Sequence, residues 1–279
     1  MIPISLRENS GARLGVWRQA PSLEGLRTAA LGSFACDDAQ AGSALIRTTM
    51  NELRDEGFAA VIGPMDGSTW AKYRLVTWSD GRPSFLMEPD NPAHHVDAFV
   101  GSGLQIVSRY VSSARPADPP AGATSSPGGL RLRNFDPANA ETELTAIHAL
   151  SLATFSRNAF YVPIPLQPFL DSYKPVLPAL DPDLVFMVES ETGELQGFLF
   201  GTPNFTEGSK PQSVILKTYA SRVKGAGSMM ANAFHAVVHA KGFATVIHAL
   251  MHDDNLSTTH SRNTGGEVFR RHALWGGKL

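Results

Sequence analysis

Arg222, Lys224, Gly225 and Gly227 crowd into a short stretch between an apolar run, SVILKTYA (213–220), and a run of helical character, MMANAFHAVVHAKG (229–242). Two glycines let the backbone come close to a ligand and turn several N–H groups the same way. The start of a helix adds free N–H groups and the positive end of its dipole. With two cationic side chains beside them, these are parts for holding a phosphate or pyrophosphate. The spacing separates the phosphate loops. A P-loop needs Gly-x-x-x-x-Gly-Lys-Ser/Thr, and here Lys224 precedes both glycines; a Rossmann loop needs a third glycine where Met230 stands.

The residues resemble instead the Arg/Gln-x-x-Gly-x-Gly/Ala pyrophosphate loop of the GNAT superfamily of acyl-CoA-dependent N-acetyltransferases, in the form Arg222-Val223-Lys224-Gly225-Ala226-Gly227 followed by Ser228. The order of elements around the loop carries the resemblance over about 150 residues. LRLRNFD reads as a strand, ETELTAIHALSLATFSRN as an amphipathic helix, and the proline-rich passage from Tyr161 to Asp183 as one broken helix. LVFMVES and ELQGFLFGTPN form a hairpin around Thr192-Gly193. The strand SVILKTYA, the loop, its helix and the strand FATVIHALM follow, then a polar helix, NLSTTHSRNTGG, and a last strand, EVFRRHALWGG.

The resemblance implies direct acyl transfer from acetyl-CoA to a primary amine, with a small-molecule acceptor and no metal. The pantetheine would lie between two splayed strands, here 213–220 and 244–251, with backbone groups of Leu216, Lys217 and Thr218 contacting it and the thioester carbonyl. Asn255 occupies the position of a cofactor-contacting Asn after the second strand. Family members often place a proton-donating tyrosine seven residues further on; here that slot holds Arg262, which can stabilise a thiolate but not protonate it. His252 and His260 are then the acid–base candidates, with Ser257 and Tyr219 also close in sequence. Two other readings stay open: a non-catalytic acyl-CoA-binding or sensing protein, and a transferase of longer acyl groups.

The N-terminal part contains an echo of the same unit. Adding 185 to the numbering lays Gly57-Phe58-Ala59-Ala60-Val61-Ile62 on Gly242-Phe243-Ala244-Thr245-Val246-Ile247, and Ala41-Gly42-Ser43 on Ala226-Gly227-Ser228, without a gap. Asp37 and Asp38 stand where the later copy has Arg222 and Val223, so the first copy would repel a pyrophosphate; they suit a helix cap. Only about 30 residues precede its central strand, too few for the helices and hairpin of the second copy. The expected fold is therefore α/β (α+β): two GNAT-like domains, each a mixed central sheet flanked by helices, with the N-terminal copy truncated and degenerate. Residues 1–112 would form that copy, the Pro/Gly/Ser-rich 113–129 a linker, and 130–279 the acyl-CoA-binding domain.

Composition narrows the partners. A net charge of −2 argues against nucleic acid as the main ligand, since its binders concentrate basic surface. The single cysteine, Cys36, cannot form an internal disulfide, and no run approaches the roughly 20 apolar residues that span a bilayer. A cytoplasmic protein with no membrane partner is expected, and the apolar sheet faces could pack within one chain or pair two chains as a homodimer. His235 and His239, four apart on a helix, lack a third metal ligand in sequence, and His94-His95 reads as a solvent-facing pair. Trp70, Tyr73 and Phe85 read as core or domain-interface residues, and only secondarily as an acceptor pocket.

Overall fold

The computed structural model describes residues 5–119 and 128–279. In chain order the first half runs β1 (Ser5–Asn9), β2 (Ala12–Trp17), β3 (Thr28–Cys36), α1 (Ala39–Asp55), β4 (Ala60–Gly63), β5 (Leu75–Ser79), α2 (Ala93–Gly101) and β6 (Gln105–Pro116). The second half runs β7 (Leu130–Asn134), α3 (Ala140–Phe155), α4 (Leu166–Tyr173), β8 (Val185–Ser190), β9 (Leu195–Pro203), β10 (Ser213–Ser221), α5 (Ala226–Ala240), β11 (Thr245–His252), α6 (Leu256–Asn263) and β12 (Glu267–Lys278). No described helix is long and apolar enough to cross a membrane.

Local chemistry explains the boundaries. Asp38 caps α1, its carboxylate accepting the Ala41 N–H at 2.8 Å, and Gly57 at φ 81° ends that helix by taking the left-handed conformation. Gly225 at φ 91° plays the complementary part ahead of α5, so the helix starts at Ala226, three residues earlier than the apolar run suggests. Two strands escape sequence reading. β1 sits in the polar opening residues, and β5 in the aromatic-rich stretch, with only Leu75 of its five residues buried.

All twelve strands form one mixed sheet, in the order β1-β2-β3-β4-β12-β6-β11-β10-β9-β8-β7, with β5 pairing the other end of β12. The repeat is visible in space: β3 pairs β4 in parallel through Thr28↔Ala60 to Ala30↔Ile62, and β10 pairs β11 in parallel through Ser213↔Thr245 to Leu216↔His248. Between these pairs the halves are interlaced. β12, the last strand of the second half, pairs β4 of the first, while β6, the last strand of the first, pairs β11 of the second. The two exchanged strands also pair each other, from Glu267↔Ala114 to Gly276↔Gln105. Residues 113–116, expected in the linker, are strand: Ala114 and Arg115 face Ile247 and Val246. Of the expected linker, 120–127 lie outside the described residues.

Among the described residues the first half has no counterpart of α3 and α4, in keeping with its shorter sequence. Helix α1 covers a core of Leu14, Leu31, Ile46, Phe99 and Trp275, the last contributed by the exchanged β12. Helix α5 covers β8–β11 through Phe234 and Val238, and α3 with α4 packs Leu150 and Phe169 over the far strands.

Candidate active site

The sheet splits where the two central strands of the second half part company. Beyond Leu216 and His248 no register pair joins β10 to β11, although β10 stays paired to β9 as far as Ser221↔Gly197 and β11 to β6 as far as His252↔Tyr110. Irregularities drive both departures. Lys217 is the extra residue of a bulge against β9, and Leu250, at φ 54°, breaks the ladder of β11 with β6. A bulge leaves its extra residue without a ladder partner and bends the strand. The split opens into a cleft of about 2020 Å³ lined by residues of both halves.

At one end of this split lies the glycine-bearing loop. The N–H groups of Lys224, Gly225, Gly227 and Ser228 find no acceptor among the described residues, while that of Ala226 closes a turn on the Val223 carbonyl at 3.3 Å. Four unused donors at the start of a 15-residue helix, with no capping side chain, make a ready anion site. The Arg222 guanidinium does not turn toward them; it pairs with Glu194 at 2.7 Å, and the Lys224 side chain is exposed.

Of the other expected residues, Leu216, Lys217, Thr218, His252, Asn255, Ser257 and His260 all line the cleft. Asn255 precedes α6 and its carboxamide bonds to nothing among the described residues. His252 takes the Asp254 N–H on Nδ1 at 3.2 Å, which places the proton of the neutral ring on Nε2. Arg262 is a correction. It is exposed on the outer face of α6 and does not border the cleft, because Ser257, His260 and Ser261, spaced at three and four, take the inner face.

The first half shows the same site closed by its own chain. Met65 N–H donates to the Leu31 carbonyl at 2.7 Å, and the Asp66 carboxylate takes the Ser33 N–H at 2.6 Å. With the offset of 185, Leu31 and Ser33 correspond to Leu216 and Thr218. Residues 64–66 therefore fill the gap that stays open in the second half.

Sequence reasoning missed the polar floor of the cleft. Lys217 makes no hydrogen bond or ion pair with the described residues, and burial, followed by the charge of Arg74, lowers its pKa to about 8. Arg74 is 8% exposed, its guanidinium carbon 3.9 Å from the centre of the Tyr73 ring and 4.2 Å from that of the nearly perpendicular Tyr110 ring, with one N–H on the Leu250 carbonyl at 3.4 Å. The neighbouring carboxylate, Glu88, is committed to Arg270 at 2.5 Å and His272 at 3.2 Å. On the α5 side, His248 Nδ1 meets Ser261 Oγ at 2.7 Å, which meets Ser113 Oγ at 2.6 Å. Burial holds His248 down to about 3 and His235 to about 4, so both rings are neutral at pH 7 and poor bases. A lysine inside the apolar run SVILKTYA was a signal in plain sight; Arg74, more than 140 residues away in sequence, gave none.

Two other expectations shift. His94 and His95 are not a solvent-facing pair: His95 is buried against Phe34, and the His94 ring bonds to the Cys36 carbonyl at 2.9 Å. Trp70 and Tyr73 border the cleft and also join the halves, Trp70 Nε1 donating to the Val162 carbonyl at 2.9 Å, whereas Phe85 is core.

No protein-family model and no curated protein matches the sequence. Solved structures do match. A GCN5-related N-acetyltransferase from Sphaerobacter thermophilus superposes with a TM-score of 0.59 at 14% identity, covering 96% of this chain and 76% of that one. A tandem GNAT protein from the clavulanic acid biosynthesis pathway, solved without AcCoA, superposes at 0.55 and 14% identity, covering 99% and 83%. The chain has the GNAT fold. A third similar structure, a GCN5-related N-acetyltransferase from Anabaena variabilis, gives 0.54 at 10% identity over 95% of this chain and 59% of that one. At these identities the likeness establishes the GNAT fold, and the chemistry has to be argued from the cleft.

Proposed function

We propose that the chain is an N-acyltransferase that carries an acetyl group from acetyl-CoA to a primary amine, with one working site in the second half. The observation that carries this reading is the split between β10 and β11 after Leu216 and His248, which leaves a strand-wide gap flanked by the unpaired Lys217 and by the loop of free N–H groups. A pantetheine arm is a narrow, amide-bearing chain that can lie in such a gap as a strand does. The pyrophosphate would rest on the N–H groups of Lys224, Gly225, Gly227 and Ser228. Backbone N–H groups around Leu216, Lys217 and Thr218 would polarise the thioester carbonyl, and Asn255 would hold the cofactor from the other wall.

The reaction is then a direct displacement. The amine lone pair attacks the thioester carbon, the N–C bond forms, the C–S bond breaks, and the nitrogen gives up a proton that ends on the thiolate, yielding amide and free CoA thiol. His252, whose Nδ1 accepts the Asp254 N–H, can donate Nε2–H as a hydrogen bond to the departing sulfur; Arg262 is too far round α6 to share in this. The closure of the first-half gap by residues 64–66 supports one site per chain.

Isothermal titration with acetyl-CoA and desulfo-CoA tests the reading. The expected result is micromolar binding at one site per chain, weakened at least tenfold in Gly227→Glu. A side chain at position 227 meets only ordinary contacts, the nearest to Ser221 Oγ at 3.6 Å, so this variant adds charge without strain. Folded wild-type protein that binds neither ligand would overturn the assignment. Binding without acetylation of any amine would leave an acyl-CoA sensor in its place.

A further inference from the structure

Two cations border the cleft without a carboxylate partner among the described residues. Arg74 comes from the first half and Lys217 from the second, and both border the cavity. Neither has a carboxylate within ion-pair distance among the described residues. Arg74 Nε, fully buried, finds no acceptor, and Lys217 bonds to nothing. Glu88, the one carboxylate buried nearby, already has Arg270 on one oxygen and His272 on the other. Burying a cation without a partner is costly. The two cations stand on the two walls of the split: Lys217 follows Leu216, the last residue of β10 paired to β11, and Arg74 donates to the carbonyl of Leu250, two residues past His248 in β11.

The surroundings of Arg74 also restrict what could satisfy it. The rings of Tyr73 and Tyr110, set nearly perpendicular to each other, cover two adjacent sides of the guanidinium, and its backbone is fixed by Arg74 N–H on the Pro64 carbonyl at 2.9 Å. Its guanidinium N–H groups form a planar fork that matches a carboxylate. Lys217 sits at the bulge from which the thioester would be polarised, so an anion between the two cations lies beside the reacting carbonyl.

Resting on the acyltransferase reading, we propose that the amine acceptor carries a carboxylate, held between Arg74 and Lys217, so that the acceptors are amino acids or ω-amino acids rather than neutral amines or polyamines. The site is complete only when the halves are assembled, because each half supplies one cation. Acceptor specificity is thereby a property of the tandem arrangement.

The test uses full-length protein saturated with desulfo-CoA for binding and acetyl-CoA for turnover. Matched acceptors differing only in carboxylate against carboxamide are compared: the twenty amino acids, β-alanine and 4-aminobutyrate with their amides. A charge-assisted pair implies that a carboxylate acceptor outperforms its amide by roughly ten- to a hundredfold in Kd and in kcat/KM. Lys217→Met and Arg74→Gln, made separately in case one fails to fold, should each bring the carboxylate-to-amide ratio close to one. Desulfo-CoA binding certifies that a variant is folded. Three results would overturn the inference in a protein that binds desulfo-CoA: amides performing as well as carboxylates, a preference that survives both variants, or no carboxylate compound binding or reacting up to about 10 mM, where a pair of this strength would show. Loss of desulfo-CoA binding in wild type would instead remove the acyltransferase reading itself.

Discussion

Lys217 concentrates most of what distinguishes this cleft. It is the extra residue of the β10 bulge, its side chain enters the cavity, and its amine is pushed from 10.5 down to about 8 by burial and Arg74. Because the folded pKa lies below the unfolded one, the unfolded chain binds more protons between pH 8 and 10.5, and stability rises with pH across that window. Below pH 8 the folded state carries the full cost of the charge, at most about 3 kcal/mol and less to the extent that water screens it. Lys217→Met is therefore expected to raise stability to urea at pH 7, and the gain should shrink at pH 10.5. A gain that is the same at both pH values would show that the charge is not what matters. His235 and His248 behave in the acid range in the corresponding way. Their folded pKa values of about 4 and 3 lie below 6.5, so stability present at neutral pH is lost as pH falls from 6.5 toward 4. His248→Gln, which retains a partner for Ser261 Oγ, should lose stability less steeply over that window, as measured by urea midpoints at pH 7 and pH 4.5.

At the scale of elements, one strand–loop–helix–strand unit is used twice, and a three-residue segment separates the two outcomes. In the first half the chain turns back after β4, and residues 64–66 take up the Leu31 carbonyl and the Ser33 N–H. Gly32 makes this possible: a Cβ there would fall on the Asp66 carboxylate and the Met65 carbonyl. Gly32→Ala is expected to cost about 1–3 kcal/mol by overpacking, seen in the denaturant midpoint, while desulfo-CoA still binds once per chain. A second bound desulfo-CoA per chain would contradict the view that the first half is a closed site. Most of these elements were legible in sequence because apolar periodicity and glycine positions are local signals: the helix cap at Asp38, the helix after the glycine-bearing loop and the β8–β9 hairpin all follow from nearest neighbours. β5 was not, since a strand whose Thr77, Trp78 and Ser79 face outward carries no alternation for a pattern to reveal.

For the whole molecule the decisive feature is the exchange of β6 and β12. Each closes the sheet of the opposite half, so the core over α1 contains Trp275 and β11 is bordered by β6. Residues 5–119 alone would leave β4 and β5 without the β12 partner that carries their hydrogen bonds and without the buried Trp275 side chain. Expressed separately, that fragment is expected to aggregate or to lack cooperative unfolding by circular dichroism. A protease site inserted between residues 119 and 128 and then cut should leave two fragments that elute together on gel filtration under native conditions. Separation into two folded species would show that the interlacing does not hold the halves.

The amino-acid sequence by itself determined the local devices: the glycine-bearing loop, the strand–helix periodicities and the internal repeat at a constant offset, which together pointed to the GNAT fold. The resemblance to the GNAT superfamily also implied that Leu216, Lys217, Thr218, His252 and Asn255 lie near one another, around its two central strands, and all five border the cleft. What the tertiary structure alone decided came from contacts between segments far apart in the chain. Helical phase turned Arg262 out of the cleft, and Glu194, 28 residues upstream, drew Arg222 away from the loop. Arg74 and Lys217 border one cleft only because β12 and β6 stitch the halves into one sheet, and no periodicity within either segment encodes which charges share a cavity when two distant edges are joined.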